Sequence, residues 1–167
     1  MKRRSRTGGA NRIIALLSMN PKALVTDSDL VRFVEAQASV YTHVVKELTA
    51  GHQQSHWMWF VFPQLAGLGH SIMAERYAIR DLDQPSRYLN DPTLGDRLRH
   101  DTRLMLRHAG KSALRILGSP DDLKFRSCVT LFGLAASNED DRSLFKQALD
   151  QFYEGKPDLH TKQLLGH

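Results

Sequence analysis

Residues 51–71 read GHQQSHWMWFVFPQLAGLGHS, and they hold both tryptophans and, from Trp57 to Phe62, four of the thirteen aromatic side chains of the chain. Each large aromatic removes roughly 150–250 Å² from water on burial, so this segment is an anchor for whatever packs around it. Aromatic runs favour strands, but no alternating apolar run elsewhere supplies a partner strand, and a lone strand is unstable. The segment therefore reads as a short helix or tight extended piece that starts at Ser55 as N-cap and is stopped by Pro63. The rest of the chain carries helical spacing, so the expected fold is all-α, a compact single domain of about seven short-to-medium helices.

Working outward, Thr26 and Asp29 have the spacing of a helix start, with Asp27 on the N-terminal dipole. Leu30, Phe33, Val34, Gln37, Tyr41, Val44 and Leu48 then follow the three-four spacing of one buried face, and Gly51 supplies the stop. That pattern predicts one helix to about Leu48. Gln37 is the polar member of the stripe and needs hydrogen-bond partners if buried. It reads as a tie between helices or as a ligand contact, and Tyr41 carries the same two readings. Glu47 lies near the loop to His56 and reads as a solvated last-turn acid.

Downstream, helices are predicted over 71–79, in the turn or two from Pro85 to Leu89, over 92–109 and over 112–117. Arg99, Arg103 and Arg107 recur every four residues, interrupted by Asp96 and Asp101, which reads as a solvated charged face. Gly118-Ser119-Pro120-Asp121-Asp122 is the clearest helix start, with Ser119 as N-cap and Pro120 at the first helical position. The helix that follows, to about Ala136, is apolar on nearly every side and so is central. Lys124, Ser127 and Thr130 break that pattern at steps of three and form a polar seam within a third of its circumference. Asn138 caps a helix whose buried face is Leu144, Phe145, Ala148, Leu149 and Phe152, and a last short helix covers 158–165.

The string SHWMWFVFPQLAGLGHS, with FVEAQ and ELTAG upstream and DDLKFRSCVTLF downstream, closely resembles a family of uncharacterised bacterial proteins, a domain of unknown function. The resemblance covers about Asp29 to Gly166 and implies a mostly helical fold. Where that family usually has a basic residue or two before Ser-His-Trp, this chain has Gln53 and Gln54. Automated labels for the family sometimes say calpastatin, but calpain inhibitors are disordered repeats, and this chain has a core and no repeat.

Length and composition fit one soluble domain able to bury about two-thirds of its surface without staples. The single cysteine, Cys128, excludes an internal disulfide and fits a reducing, cytoplasmic setting. No apolar run approaches the eighteen or so residues that span a bilayer. The formal charge of +5 is carried by Lys2, Arg3, Arg4, Arg6 and Arg12, and the remaining residues balance. Residues 1–26 therefore read as a basic, disordered N-terminal extension and 27–167 as the helical domain. Met19 offers a second start for the chain. Ile13 to Leu17 is too short for a secretory signal core.

The site reading follows from chemical type. A Trp face stacks a planar ring, Gln64 donates and accepts, Lys124 meets a phosphate, and His56 moves a proton near neutral pH. The expected site is a cleft lined by Tyr41, His56, Trp57, Gln64, Lys124, Ser127 and Thr130, binding a small polar, ring-bearing, nucleotide-like ligand. An aromatic protein-interaction surface is the second reading. Hydrolysis of a glycosidic or ester bond, with His56 beside Glu47 or Lys124, is the third. No cofactor is expected, and no metal: HQQSH resembles the zinc-protease pattern, but Gln53 replaces the catalytic glutamate and Gly51 ends the helix. Gly67 and Gly69 read as turn glycines, lacking the strand and Lys-Ser/Thr of a phosphate loop.

Nucleic acid, if bound at all, is expected only at the basic extension. Removing residues 1–18 should leave folding intact and abolish any salt-sensitive DNA or RNA binding. Equal binding by the truncated protein, measured across a salt series, would refute that assignment.

Overall fold

Ten helical segments occupy residues 28–167, the part of the chain described by the computed structural model: α1 (Val31–Ala38), α2 (Tyr41–Ala50), α3 (Met58–Val61), α4 (Ile72–Arg76), α5 (Gln84–Asn90), α6 (Leu94–Leu106), α7 (Ala113–Leu117), α8 (Asp121–Ala135), α9 (Glu139–Tyr153) and α10 (Leu159–Leu164). The basic arm and the predicted caps Thr26 and Asp27 lie outside the described residues. Among those residues β pairing is limited to the isolated bridge Leu65–Ile79. It closes the base of an excursion that carries α4, through Ile79 N–H to the Gln64 carbonyl at 3.0 Å and Ala66 N–H to the Ile79 carbonyl at 2.9 Å. No helix among them is long and apolar enough to cross a membrane.

α8 is central, packing on α5, α7, α9 and α10, while α6 lies across α2, α5 and α9. Edge-on aromatic contacts join the layers, because a ring edge is attracted to a neighbouring ring face. Phe62 meets Phe125 of α8 at 4.8 Å between ring centres, and Tyr88 of α5 meets Phe33 of α1 at 5.3 Å and Phe132 of α8 at 5.1 Å. All of these rings are fully buried.

Three expectations are corrected. The helix predicted to run unbroken to Leu48 is split at Ser39–Val40 into α1 and α2, because α1 packs on α3 and α2 on α6, which one straight rod cannot do. Ser55 does not cap α3: its hydroxyl donates to Glu47 Oε1 at 2.5 Å, and the helix is entered from Trp57 with no side-chain cap. Ser119 does not cap α8 either. The chain passes through a cis Ser119–Pro120 peptide, the cap residue is Pro120, and Asp121 and Asp122 supply the negative charge in the first turn. The cap predicted at Asn138 is present, accepting from Asp141 N–H at 2.8 Å, and Ser71 caps α4 by accepting from Ala74 N–H at 3.1 Å. Gly51 ends α2 in the left-handed region at φ 66°, where a side chain would be strained.

Most buried polar side chains are paired, with Arg32 Nε, Gln53 Oε1 and Asp122 Oδ1 as exceptions among the described residues. Gln37 donates to the Phe60 carbonyl at 2.7 Å and the Tyr88 hydroxyl at 3.2 Å and accepts from Arg97 at 3.2 Å, so it ties α1 to three other segments. Arg99 leaves the predicted solvated face to make a bidentate pair with buried Asp141 of α9, at 2.7 and 2.8 Å. That pair depresses the Asp141 carboxyl and raises the Arg99 guanidinium, in each case chiefly through the shared hydrogen bonds.

Asp101 on α6 is the odd group. Burial pushes its carboxyl up to about 7, with the Tyr41 hydroxyl and Arg97 opposing that shift. A carboxyl raised by folding holds its proton longer in the native state. Its contribution to stability is therefore full below about pH 4 and is lost as pH rises through the folded value. Asp101→Asn should remove this loss and raise stability at pH 8 by roughly 2–4 kcal/mol relative to wild type. Urea midpoints measured from pH 4 to 8 check it, and parallel curves for the two proteins would refute it.

Candidate functional site

The carboxylate of Glu47, in the last turn of α2, accepts four hydrogen bonds from the segment that follows. Gln54 N–H donates at 2.8 Å, Ser55 N–H at 3.1 Å, the Ser55 hydroxyl at 2.5 Å and Trp57 Nε1–H at 2.8 Å. Partial burial alone would raise this carboxyl, but the four donors outweigh it and hold it down at about 2. Glu47 is thus an anion clasp, not the freely solvated acid expected, and it has no proton to give near neutral pH.

The clasp orients the two tryptophans differently. Trp57 is 1% exposed and packs on Phe62 with ring centres 6.2 Å apart. Trp59, two residues on in the short α3, is half-buried and lines a surface hollow. Lys124 Nζ lies 5.0 Å from the centre of the Trp59 ring, and the His56 ring lies 6.4 Å from it. A cation over an indole face is attracted by the ring quadrupole.

These groups line a hollow of about 320 Å³ formed by Gln53, Gln54, Ser55, His56 and Trp59 on one side and Leu117, Ser119, Pro120, Asp121 and Lys124 on the other. Past Pro120 and Lys124, which border both, opens a second hollow of about 460 Å³ lined by Gln64, His70, Ser71, Ser127, Asp158 and His160, among others. Both acids in the two linings are engaged. Asp121 accepts from Lys124 Nζ at 3.0 Å and Gln53 Nε2 at 3.0 Å, and Asp158 caps α10 through Thr161 N–H at 2.8 Å. Lys124 is the one lysine or arginine in the two linings, and His56, His70 and His160 add ring nitrogens that can donate or accept. A third hollow of about 310 Å³, between Val40, His43, Ser55 and Trp57, has His56 on its rim.

The residues expected from sequence divide. His56 and Lys124 share the first hollow, and Gln64, Lys124 and Ser127 share the second. Tyr41 belongs to neither: its hydroxyl donates to Asp101 at 3.1 Å and Arg97 covers its ring at 4.3 Å, so burial and the adjacent carboxylate raise its phenol. Trp57 is core, and the stacking role expected of it does not fit a ring with 1% exposure. Thr130 is a joint, donating to the Arg126 carbonyl at 2.8 Å and accepting from Asp158 N–H at 2.9 Å. His52 and His56 do not share a helix, and among the described residues no three His, Cys, Asp or Glu side chains group to hold a metal. Sequence chemistry names Trp57, not Trp59, as the stacking ring, and does not name Gln53, His70, Ser71 or His160 as site residues. The signal for Trp59 was present, since two tryptophans spaced i and i+2 on a helical turn cannot share a face.

A model of the family described as "Protein of unknown function (DUF1810)" matches residues 27–165. The chain is also similar to a crystal structure at 1.38 Å of a conserved hypothetical protein, Rv1873, from Mycobacterium tuberculosis. The two are 47% identical with a TM-score of 0.79, over 83% of this chain and 97% of that one. No curated protein matches.

Trp57→Ala should cost roughly 3–5 kcal/mol, as a large aromatic lost from the core does, whereas Trp59→Ala should stay within about 1 kcal/mol. Glu47→Ala leaves the buried Trp57 N–H unpaired, and a loss of roughly 2–4 kcal/mol is expected. Because folding lowers this carboxyl, its contribution is present above about pH 4.5 and is lost as pH falls toward 2. Denaturation midpoints of the three variants at pH 7 and pH 3 check both statements, and equal losses for the two tryptophans would refute the first.

Proposed function

The chain belongs to the DUF1810 family of proteins of unknown function, and we propose that it binds a small, polar, ring-bearing anion, nucleotide-like in chemistry, in the groove between the segment 53–59 and the start of α8. The observation that carries this reading is the half-buried Trp59 in the lining of the first hollow with Lys124 Nζ 5.0 Å from its ring centre, beside a fully buried Trp57. A half-buried indole next to a half-buried ammonium, both at the lining of a hollow, offers a platform for a ring and a charge for an anion. The ring of a ligand stacks on Trp59, within reach of the Gln53 and Gln54 side chains, while an anionic group is met by Lys124. In the second hollow, Gln64, Ser71, Ser127, His70 and His160 offer donors to a phosphate or a sugar hydroxyl. Lys124 is loosely committed, since its pair with Asp121 spans one helical turn and is weak.

Catalysis draws less support. Glu47, the acid beside the motif, is an anion held by four donors, and the hydrolase reading then has no proton donor at that position. An interaction surface draws on a different observation. Ile72, Leu123 and Leu159 are 84%, 55% and 68% exposed, and each is a sequence neighbour or member of the second hollow's lining.

A thermal-shift screen of nucleotides, nucleosides and sugar phosphates against wild type, His56→Ala, Trp59→Ala and Lys124→Ala tests the proposal. A nucleotide hit should weaken at least tenfold in Trp59→Ala and Lys124→Ala, with the neutral nucleoside less affected by the lysine change than the nucleotide. Binding that is indifferent to all three substitutions would remove the groove as its site, and the absence of any hit would favour the interaction surface.

A further inference from the structure

We infer that a separate cleft between α8, α9 and the turn before α10 is a binding site for an anionic amphiphile: a carboxylate carried on a saturated chain of roughly ten to twelve carbons. The cleft holds about 280 Å³. An apolar cavity of about 150 Å³ takes one benzene, so this volume fits an apolar body nearly twice that size. Its floor is Val129, Gly133, Leu134, Leu149 and Pro157, and its rim is Arg142, Lys146 and Lys162, with Thr130 completing the lining and no carboxylate in it.

Two features of the floor point to an occupant. Leu134 is 44% exposed at the lip although it lies on the central helix. Gly133 stands inside a fifteen-residue helix, where glycine is destabilising relative to alanine. A Cβ there would meet Phe145 Cβ at 3.4 Å, at the tight edge of ordinary contact, so the glycine lets α9 approach α8 closely. It also leaves this part of the cleft lining without a side chain.

The rim selects the charge. Arg142 pairs with Glu139 at 3.2 Å and Lys146 with Asp150 at 2.6 Å, both on exposed helical turns where such pairs contribute little and yield to a better anion. Lys162 makes no ion pair among the described residues. Three cations over an apolar floor match a negative head on an apolar tail. They disfavour the chain's own apolar segment Ile13–Leu17, which follows Arg12 and the cationic arm. The volume takes one apolar body, not the row of side chains that a docked helix would insert. This cleft is distinct from the Trp59 groove: Asp158 N–H donates to Thr130 Oγ1 at 2.9 Å, and that joint stands between Ser127, in the second hollow, and Gly133 here.

Titration calorimetry of the full chain with dodecanoate, dodecanol and dodecylammonium, each below its aggregation threshold, tests the inference. One saturable dodecanoate site is expected, at least tenfold tighter than dodecylammonium. The double variant Lys146→Glu/Lys162→Glu should lose dodecanoate binding tenfold or more, and Leu134→Glu should do the same. Lys146 and Leu134 are exposed and Lys162 is half-buried at the rim, so circular dichroism and melting should be near wild type. Equal binding of the three amphiphiles, dodecanoate binding unchanged in these variants, or no binding at all would each overturn the assignment.

Discussion

The carboxylate of Glu47 fixes the place of everything around the tryptophan segment. Four donors converge on it from Gln54, Ser55 and Trp57, and they bend the chain sharply after α2 so that the next residues return toward the core. The bend drives the Trp57 ring inward with its N–H already satisfied, which removes the usual penalty for burying an indole. With Trp57 fixed, Phe62 is delivered to Phe125, and the segment becomes part of the same core as the central helix. Trp59 is left half-buried at the lining of the groove. The one interaction therefore makes both an anchor and a platform from two identical residues.

The central helix serves several neighbours at once. Its aromatic and β-branched positions, Phe125, Val129 and Phe132, are buried. The strip Leu123, Ser127, Thr130 and Leu134 runs along another side at helical spacing. Thr130, in the middle of that strip, accepts from Asp158 N–H and so holds the start of α10 against α8. Polar hollow and apolar cleft lie on either side of this joint. Their different chemistry comes from what the neighbouring segments contribute: His70, Ser71 and His160 at one end, Leu149, Pro157 and Lys162 at the other. The family match and the likeness to the mycobacterial structure concern the chain over most of its length, so these features sit within the shared helical body.

Much of the helical architecture was legible because helix formation is a local process. Ser71, Ser112 and Asn138 cap as their type and position suggest, each accepting from a backbone N–H three residues on. The apolar faces of α6, α8 and α9 follow from spacing. The failures came where a distant partner competed for a local group. Ser55 was available as a cap, but Glu47 offered an anion, and a charge-assisted hydrogen bond is the stronger one. Arg99 stood in a regular row with Arg103 and Arg107 that resembles a solvated face, yet a buried Asp141 from another helix claims it. Tyr41 matched the type of a ligand contact, but Asp101 and Arg97 on α6 already occupy its hydroxyl and its ring.

The sequence by itself determined the all-helical class, most helix positions and the importance of residues 51–71, because period, caps and aromatic density are properties of neighbouring residues. It also placed His56 and Lys124 among the groups of interest from their chemistry alone. Only the tertiary structure decided which tryptophan is buried, that Glu47 is a clasp, and that Lys124 stands over Trp59 across sixty-five positions of chain. Those are contacts between segments far apart in sequence. Their existence depends on how the helices pack, and no local pattern encodes the direction in which a side chain will find its partner.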